Sequence, residues 1–283
     1  VQDDGHCQAA PKMNTPMSTL LIERQGAVET WTMNDPATRN ALSDAVVDGL
    51  LQACARAAQD PMLRIVVLTG AGGAFCAGGS LGGFASLIGQ PLQAGETDPL
   101  LAMNRSFGDL LHALSALPQL LVCRVDGAAM GGGFGLVCCA DHVVATTRSV
   151  LGTPEVTLGL PPAQIAPFVW QRLGESAARQ CLLQGLSYTA AQALQVGLVN
   201  EVVDEDSNDS WQTTLTRLMR AAPGAVASTK QLLRQLRGPV PDLRDAAAQA
   251  FAQGLRSAEA AQGLAAFARR QPAPWTLSGK DAA

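Results

Sequence analysis

Short apolar runs alternate with longer stretches of helical periodicity over the first two hundred residues. Residues 18–24 and 27–33 are β-prone and separated by Gln25-Gly26, which predicts a hairpin. Asn34-Asp35-Pro36 reads as a turn. Ser43 then stands as N-cap of an amphipathic helix that reaches about Gln59 and is stopped by Asp60-Pro61. Ile65-Val66-Val67-Leu68 is apolar throughout, as expected of a strand buried on both faces. Leu120-Leu121-Val122-Cys123 and Val143-Val144-Ala145 repeat that signature, with helical stretches at 99–116 and 131–140 between them. The alternation predicts α/β units around parallel strands.

From about residue 175 the pattern turns helical. Helices are predicted at 175–184, 189–195, 209–221, 223–237 and 241–269, in sequence rich in alanine and poor in β-branched residues. Gly238-Pro239-Val240-Pro241 breaks two of them. The expected organisation is a core over 17–200 followed by a helical C-terminal region over 201–283. Residues 1–16 are polar, without the apolar stretch of a signal peptide, and read as a disordered tail or expression leftover; Met13 or Met17 would be the native start.

Composition narrows the classes. The 283 residues are 47% hydrophobic and 16% charged, which fits a soluble globular chain with a sizeable core. No apolar run reaches the length of a membrane span. The net charge is −4 and the isoelectric point about 5.4, against the basic balance of nucleic-acid binders. Lysine occurs only at Lys12, Lys230 and Lys280, so any polyanion must be met by arginines. Seven cysteines, with no C-x-x-C pair, read as reduced residues of a cytoplasmic core rather than a metal site.

Several motifs fail on inspection. Val66-Val67-Leu68-Thr69-Gly70-Ala71-Gly72-Gly73 suggests a dinucleotide loop, but Phe75 stands where the third glycine belongs and no helical stretch follows directly. No phosphate-binding Gly-x-x-x-x-Gly-Lys-Ser/Thr and no Gly-x-Ser-x-Gly elbow is present. His112, in an apolar helical run, and His142, at a strand start, read as structural.

Ala129-Met130-Gly131-Gly132-Gly133-Phe134-Gly135-Leu136 is different. Three consecutive glycines destabilise a helix start by about 1 kcal/mol each relative to alanine, and packing alone rarely requires all three. They suit a backbone that a ligand approaches closely, with free N–H groups facing an oxyanion. Segment 90–99, polar and containing glycine and proline, is a candidate mobile loop over such a site.

These stretches also carry a resemblance. Asn34-Asp35-Pro36 with Arg39-Asn40-Ala41-Leu42, then Ala74-Phe75-Cys76-Ala77-Gly78-Gly79-Ser80-Leu81, Asp126-Gly127-Ala128-Ala129-Met130-Gly131-Gly132-Gly133, Cys139-Ala140-Asp141, Gly152-Thr153-Pro154-Glu155 with Leu158-Gly159-Leu160-Pro161, and the run from Glu259 to Phe267 resemble, in order and spacing, the crotonase (enoyl-CoA hydratase/isomerase) superfamily over about residues 17–275. The resemblance implies an α/β fold, the crotonase (ClpP-like) spiral of ββα units, with C-terminal helices that pack subunits into a homotrimer or dimer of trimers. It implies a coenzyme A thioester substrate, with no separate cofactor, metal, nucleic acid or membrane partner.

Position by position, it implies that Gly79 and Gly132 donate the two oxyanion hydrogen bonds and that Glu155 is the catalytic acid/base. Arg39, Ala41, Ala77, Ser80, Leu81, Gly131, Gly135 and Phe267 fall at coenzyme A or substrate positions. Two departures stand out. Gly135 replaces the first of the two glutamates found in typical hydratases, and Ser80 replaces a common aspartate.

With one carboxyl, three readings remain open: Glu155 handles both proton transfers of a hydration, it shuttles a proton between carbons in an isomerisation, or the protein binds acyl-CoA without turnover. The runs 131–141 and 158–169 resemble a subgroup that also has glycine at the first glutamate and hydrates 3-substituted glutaconyl-CoA esters. The apolar, uncharged segment 81–89 is expected to line the acyl pocket. It favours the isohexenyl ester of acyclic terpene breakdown over the 3-methyl ester of leucine breakdown. Gly135 is expected to make room above the β-carbon for the branch. Arg39 and Arg105 are the candidates to hold the free carboxylate.

Overall fold

The computed structural model describes residues 18–93, 95–236 and 242–276. The tail 1–16 and the 238–241 break lie outside them. The chain opens with the expected hairpin, β1 (Leu20–Gln25) and β2 (Val28–Met33), turning at Gly26. α1 (Asp44–Ala58) follows, with Ser43 at its N-cap but without a side-chain capping bond. Then come β3 (Ile65–Gly70), α2 (Pro99–Ala116), β4 (Leu120–Val125), β5 (Ala128–Met130), α3 (Gly132–Cys138), β6 (His142–Thr146) and β7 (Val150–Gly152). α4 (Ala166–Gln184), β8 (Ser187–Thr189), α5 (Ala190–Gln195), β9 (Glu201–Val203) and the helices α6 (Asn208–Leu218), α7 (Pro223–Leu236), α8 (Arg244–Leu255) and α9 (Ala258–Ala268) complete it.

Two sheets form. The larger has strand order β1-β2-β3-β4-β6-β9 and is parallel from β2 onward; the smaller has order β5-β7-β8. β4 then β5, and β6 then β7, send the chain from the large sheet to the small one before each helix, which generates the spiral of ββα units. Trp31, Leu68, Phe75, Leu110, Leu114, Leu121 and Phe134 are fully buried between large sheet and helices. The charge in this core is paired: Glu29, 2% exposed, accepts from Trp31 Nε1 at 3.0 Å and from the Arg56 guanidinium at 2.8 and 2.6 Å. The six cysteines among the described residues are buried and form no disulfide with one another, and burial pushes the Cys54 and Cys76 thiols up to about 12.

The helical C-terminal third differs from expectation in two places. The predicted helix 175–184 is the second half of α4, whose first half begins at Ala166; the two meet at Gly174, which adopts φ 72° and ψ 171°. The predicted helix 241–269 is two helices. Ser257 separates them and caps α9, its Oγ accepting from Ala260 N at 3.0 Å. His112 stacks edge-on against Phe168 with centroids 5.3 Å apart, and His142 Nε2 lies 3.0 Å from Glu201 Oε1. Among the described residues no helix is long and apolar enough to cross a membrane.

Candidate active site

Three loops at strand ends build the site. The first, after β2, contains Arg39 and Asn40 in left-handed conformations (φ 56° and 57°). Asn40 is completely buried and holds it: Oδ1 accepts from Asp35 N at 2.9 Å, and Nδ2 donates to Ala71 O and Ala74 O, both at 2.8 Å. Gly70 leaves room for that amide, since a Cβ there would lie 2.8 Å from Asn40 Nδ2; Gly72 and Gly73 have φ 74° and 77°, and a Cβ on Gly72 would lie 2.5 Å from Pro36 Cβ. The second loop, 74–80, is stitched to the first by Ala77 N to Arg39 O at 2.9 Å and Leu42 N to Gly78 O at 2.8 Å. It joins the third through a bridge between Cys76 and Ala129, with Met130 N donating to Cys76 O at 2.9 Å.

At the junction, backbone meets backbone. Gly78 has φ 97°, and a Cβ there would lie 2.9 Å from Met130 O and 3.6 Å from Gly132 N. Gly131 has φ 53°, and a Cβ on it would lie 2.9 Å from Glu155 Oε1. At Gly132 a Cβ would strike Leu42 Cδ1 at 2.6 Å, and at Gly133 Cys76 O at 2.6 Å. Each glycine of the triplet thus has its own steric reason. The amides of Gly78, Ser80 and Gly131 are engaged, donating to Cys76 Sγ, Leu42 O and Gly152 O. The N–H groups of Gly79 and Gly132 have no acceptor among the described residues, and both residues line the same cavity. Gly132 is the first residue of α3. That helix is only two turns long, so the available amide counts for more than any macrodipole.

Glu155 faces this junction from a 3-10 turn, Pro154–Leu158, that follows β7. α9 covers that turn: a Cβ on Gly263 would lie 2.5 Å from Leu158 O, and one on Gly159 2.7 Å from the Glu259 carbonyl carbon. Glu155 Oε2 is buried and has no hydrogen-bond partner. Burial in apolar surroundings pushes the carboxyl up to about 7, against a smaller opposing pull from its own backbone N–H. Such a group exists in both protonation states near neutrality, as proton transfer in both directions requires.

The cavity in front of these groups measures about 660 Å³, within the range of small-molecule sites. Its walls come from α1 (Val47), α2 (Met103, Phe107), α8 (Phe251), the 3-10 turn Leu81–Phe84 (Phe84) and the 158–165 loop (Leu158, Leu160, Ile165). Phe84 packs edge-on against Phe251, centroids 6.1 Å apart. Its polar lining is Asp44, Asp48, Asn104, Ser106, Glu155 and Gln164. Gln164 Nε2 is committed to Arg244 O at 2.9 Å, while Asn104 Oδ1 is buried without a partner. A second cavity, about 430 Å³ beneath α6 and α7, contains none of the predicted site residues. Among the described residues, no three His, Cys, Asp or Glu side chains gather where they could hold a metal ion.

Of the residues singled out in the sequence, Glu155, Gly79, Gly132, Gly131 and Ala77 line the cavity together. Arg39 is exposed and outside the cavity lining, has no ion pair among the described residues, and accepts through its carbonyl from the amide of cavity-lining Ala77 at 2.9 Å. Ala41 is buried one residue before the cavity-lining Leu42; Ser80 is half-buried and Leu81 opens the adjoining 3-10 turn.

Two expectations need correction. Gly135 does not open onto the cavity, because the space a side chain there would enter is filled: a Cβ would lie 2.4 Å from Ile165 Cγ2. Arg105 is not free to meet a substrate carboxylate, being paired with Asp109 and Asp245. Phe267 is 59% exposed on α9 and lies outside the cavity lining of the single chain.

Segment 90–99, expected to be mobile, is tied at both ends. The Arg256 guanidinium donates to both oxygens of Asp98 and to Gln90 O, each at 2.8 Å. Sequence reasoning missed the α2 wall. Its signal was present in Pro99, Met103, Ser106 and Phe107, one helix face at spacings of three and four.

Comparison with known proteins agrees with this geometry. The profile of the enoyl-CoA hydratase/isomerase family matches residues 23–278. The 2,3-dehydroadipyl-CoA hydratase of Escherichia coli is 35% identical over 221 residues, 77% of this chain and 83% of that protein. Among solved structures, an enoyl-CoA hydratase/isomerase from Marinobacter aquaeolei is 37% identical with TM-score 0.73, covering 91% of this chain and 98% of its own. Pseudomonas aeruginosa AtuE is 39% identical with TM-score 0.73, covering 92% and 100%. The chain therefore belongs to the enoyl-CoA hydratase/isomerase family, the crotonase superfamily.

Proposed function

We propose that this protein hydrates a 3-branched glutaconyl-CoA ester, the isohexenyl ester before the 3-methyl one, using Glu155 as the sole acid/base. The observation that carries the proposal is the buried Glu155 carboxyl, pushed up to about 7, in a largely apolar cavity that the unengaged amides of Gly79 and Gly132 also line. The thioester oxygen would rest on the Gly79 and Gly132 N–H groups, where charge develops as the enolate forms. One Glu155 oxygen would take a proton from water as water adds to the β-carbon, and the acid form would return a proton to the α-carbon. A β-carbon bearing two substituents carries more positive charge in the transition state. Water then needs less deprotonation, and one carboxylate suffices. The apolar walls supplied by Phe84, Phe107 and Phe251 suit a branched hydrocarbon tail. Arg39, exposed and hydrogen-bonded through its carbonyl to cavity-lining Ala77, would meet coenzyme A phosphate. Exposed Leu232, Leu233 and Leu236 on α7, with Phe267 on α9, offer the apolar surface that a homotrimer or dimer of trimers would bury.

One observation favours a second reading. No arginine or lysine is found among the described residues lining the cavity. A distal carboxylate would depend on neutral donors, chiefly the Asn104 amide. The second reading is therefore a branched enoyl-CoA with an uncharged tail.

The test is incubation with isohexenylglutaconyl-CoA, 3-methylglutaconyl-CoA, 3-methylcrotonyl-CoA, crotonyl-CoA and 2,3-dehydroadipyl-CoA in heavy-oxygen water, followed by mass analysis. Label in the product of a branched glutaconyl ester supports the proposal. Label only in 3-methylcrotonyl-CoA selects the uncharged tail. A mass-neutral double-bond shift means isomerisation, and binding without turnover means a carrier.

A further inference from the structure

We infer that Ile165 determines specificity, its γ-methyl occupying the volume that a side chain at position 135 would need and so setting the ceiling over the β-substituent of the substrate. The inference rests on the enoyl-CoA reading of the site, but its steric half does not.

A Cβ built on Gly135 would lie 2.4 Å from Ile165 Cγ2, 3.1 Å from Ile165 Cβ and 3.6 Å from Leu111 Cδ2. The first distance is closer than non-bonded carbons approach, so one of the two must yield. Ile165 is poorly able to. It is 2% exposed and β-branched, which restricts its rotamer. Its backbone is fixed as the N-cap of α4, with the carbonyl accepting from Phe168 N and Val169 N, each at 3.0 Å. The approach to it is held too. Pro161 and Pro162 precede it, and α8 presses on the first of them: a Cβ on Gly254 would lie 2.5 Å from Pro161 Cδ.

On its other side Ile165 faces the cavity that also contains Gly131, Gly132 and Glu155. One rigid side chain thus closes the position behind it and limits the space in front. Position 135 tolerates only hydrogen because Ile165 is there, and Ile165 limits the width available to a β-substituent on that side of the cavity. Shortening it to alanine removes the γ and δ carbons, relieving position 135 and widening the cavity together. Valine loses only the δ carbon and keeps the γ-methyl that meets position 135, so it should leave that position closed.

The experiment is a thermal-melting cycle with a specificity arm. Gly135→Ala is placed in the wild-type, Ile165→Val and Ile165→Ala backgrounds at one protein concentration. The expected result is a clear drop in Tm in the first two and a much smaller drop in the third. If Gly135→Ala prevents folding in the wild-type background, recovery of soluble, cooperatively melting protein in the Ile165→Ala background is the same result. Equal drops in all three backgrounds, or no drop in the first, overturn the inference.

In the specificity arm, kcat/KM is compared for a β-methyl and a longer β-branched enoyl-CoA ester. Ile165→Ala should move the ratio toward the longer branch by about tenfold or more, the scale of a methylene in an apolar pocket. An unmoved ratio overturns the specificity claim even if the melting cycle succeeds. Wild-type inactivity on every ester would refute the functional reading, and the melting cycle would still decide the steric one.

Discussion

Replacing Glu155 with glutamine should stabilise the protein relative to wild type increasingly as pH rises, while lowering turnover by at least about 10²-fold. The perturbation is isosteric and removes one titration. In the native protein burial raises the Glu155 carboxyl from 4.5 to about 7. In the unfolded chain it ionises near its ordinary value. Between those two pH values the native state holds a proton that the unfolded state has released, so native stability falls as pH rises through the window. Below about 4.5 both states are protonated and nothing is lost; above about 7 the full cost of burying the charge is felt. At about 1.4 kcal/mol per unit, the gap approaches about 3 kcal/mol as an upper bound. That corresponds to roughly 6–12 °C in melting temperature for a chain of this size.

The assay is thermal or denaturant unfolding of both proteins from about pH 5 to 8.5, at one protein concentration so that assembly does not enter. Glutamine also leaves an unsatisfied polar atom near Oε2, which adds a constant offset, so the change in the gap with pH is the quantity to read. The Glu155→Gln advantage should grow by a few kcal/mol across the window. A gap that stays flat, or one that grows in favour of the wild type as pH rises, refutes the reasoning. The kinetic counterpart has the same origin: wild-type kcat/KM should rise with pH through about 7 as the carboxylate forms. Glu155→Gln should lose at least about 10²-fold in kcat while still binding acyl-CoA.

Other outcomes follow from the same geometry. Gly79→Pro deletes one unengaged N–H at a position where a Cβ meets nothing within 4 Å; kcat should fall by about 10²–10³-fold, and Gly79→Ala, which keeps the N–H, should remain close to wild type. Asn40→Ala strips three hydrogen bonds from a fully buried amide and should destabilise by about 2–3 kcal/mol in chemical denaturation, with a raised KM because loops 35–41 and 71–77 lose their shared anchor. Light scattering at micromolar concentration should give a trimer or hexamer, and a monomer would remove the proposed role of exposed Leu236 and Phe267.

Much of the scaffold was legible because its signals are local. An all-apolar tetrad such as Ile65-Val66-Val67-Leu68 reports burial on both faces, and β3 lies inside the large sheet, between β2 and β4. The period of 99–116 gave α2 to the residue. Short strands such as β7 and β8, with three residues each, were not seen, since three residues carry no period. The break at Ser257 was overlooked because alanine-rich sequence on both sides hides a single cap.

By itself the sequence determined the order of α/β units, the glycine loops that only a close backbone approach explains, and the lone glutamate after Pro154, all features written in neighbouring residues. Tertiary structure decided what those residues experience. Gly135 reads as open space in the sequence and is closed in the fold, because Ile165 arrives from thirty positions away to fill it. Glu155 reads as the acid/base in the sequence, and the desolvation that raises it to about 7 comes from apolar atoms gathered from other segments. Arg105 reads as a free cation and is spent on Asp245, brought to it by the α2–α8 contact. Period and capping are properties of short segments, whereas volume, desolvation and charge pairing depend on which distant atoms share a space.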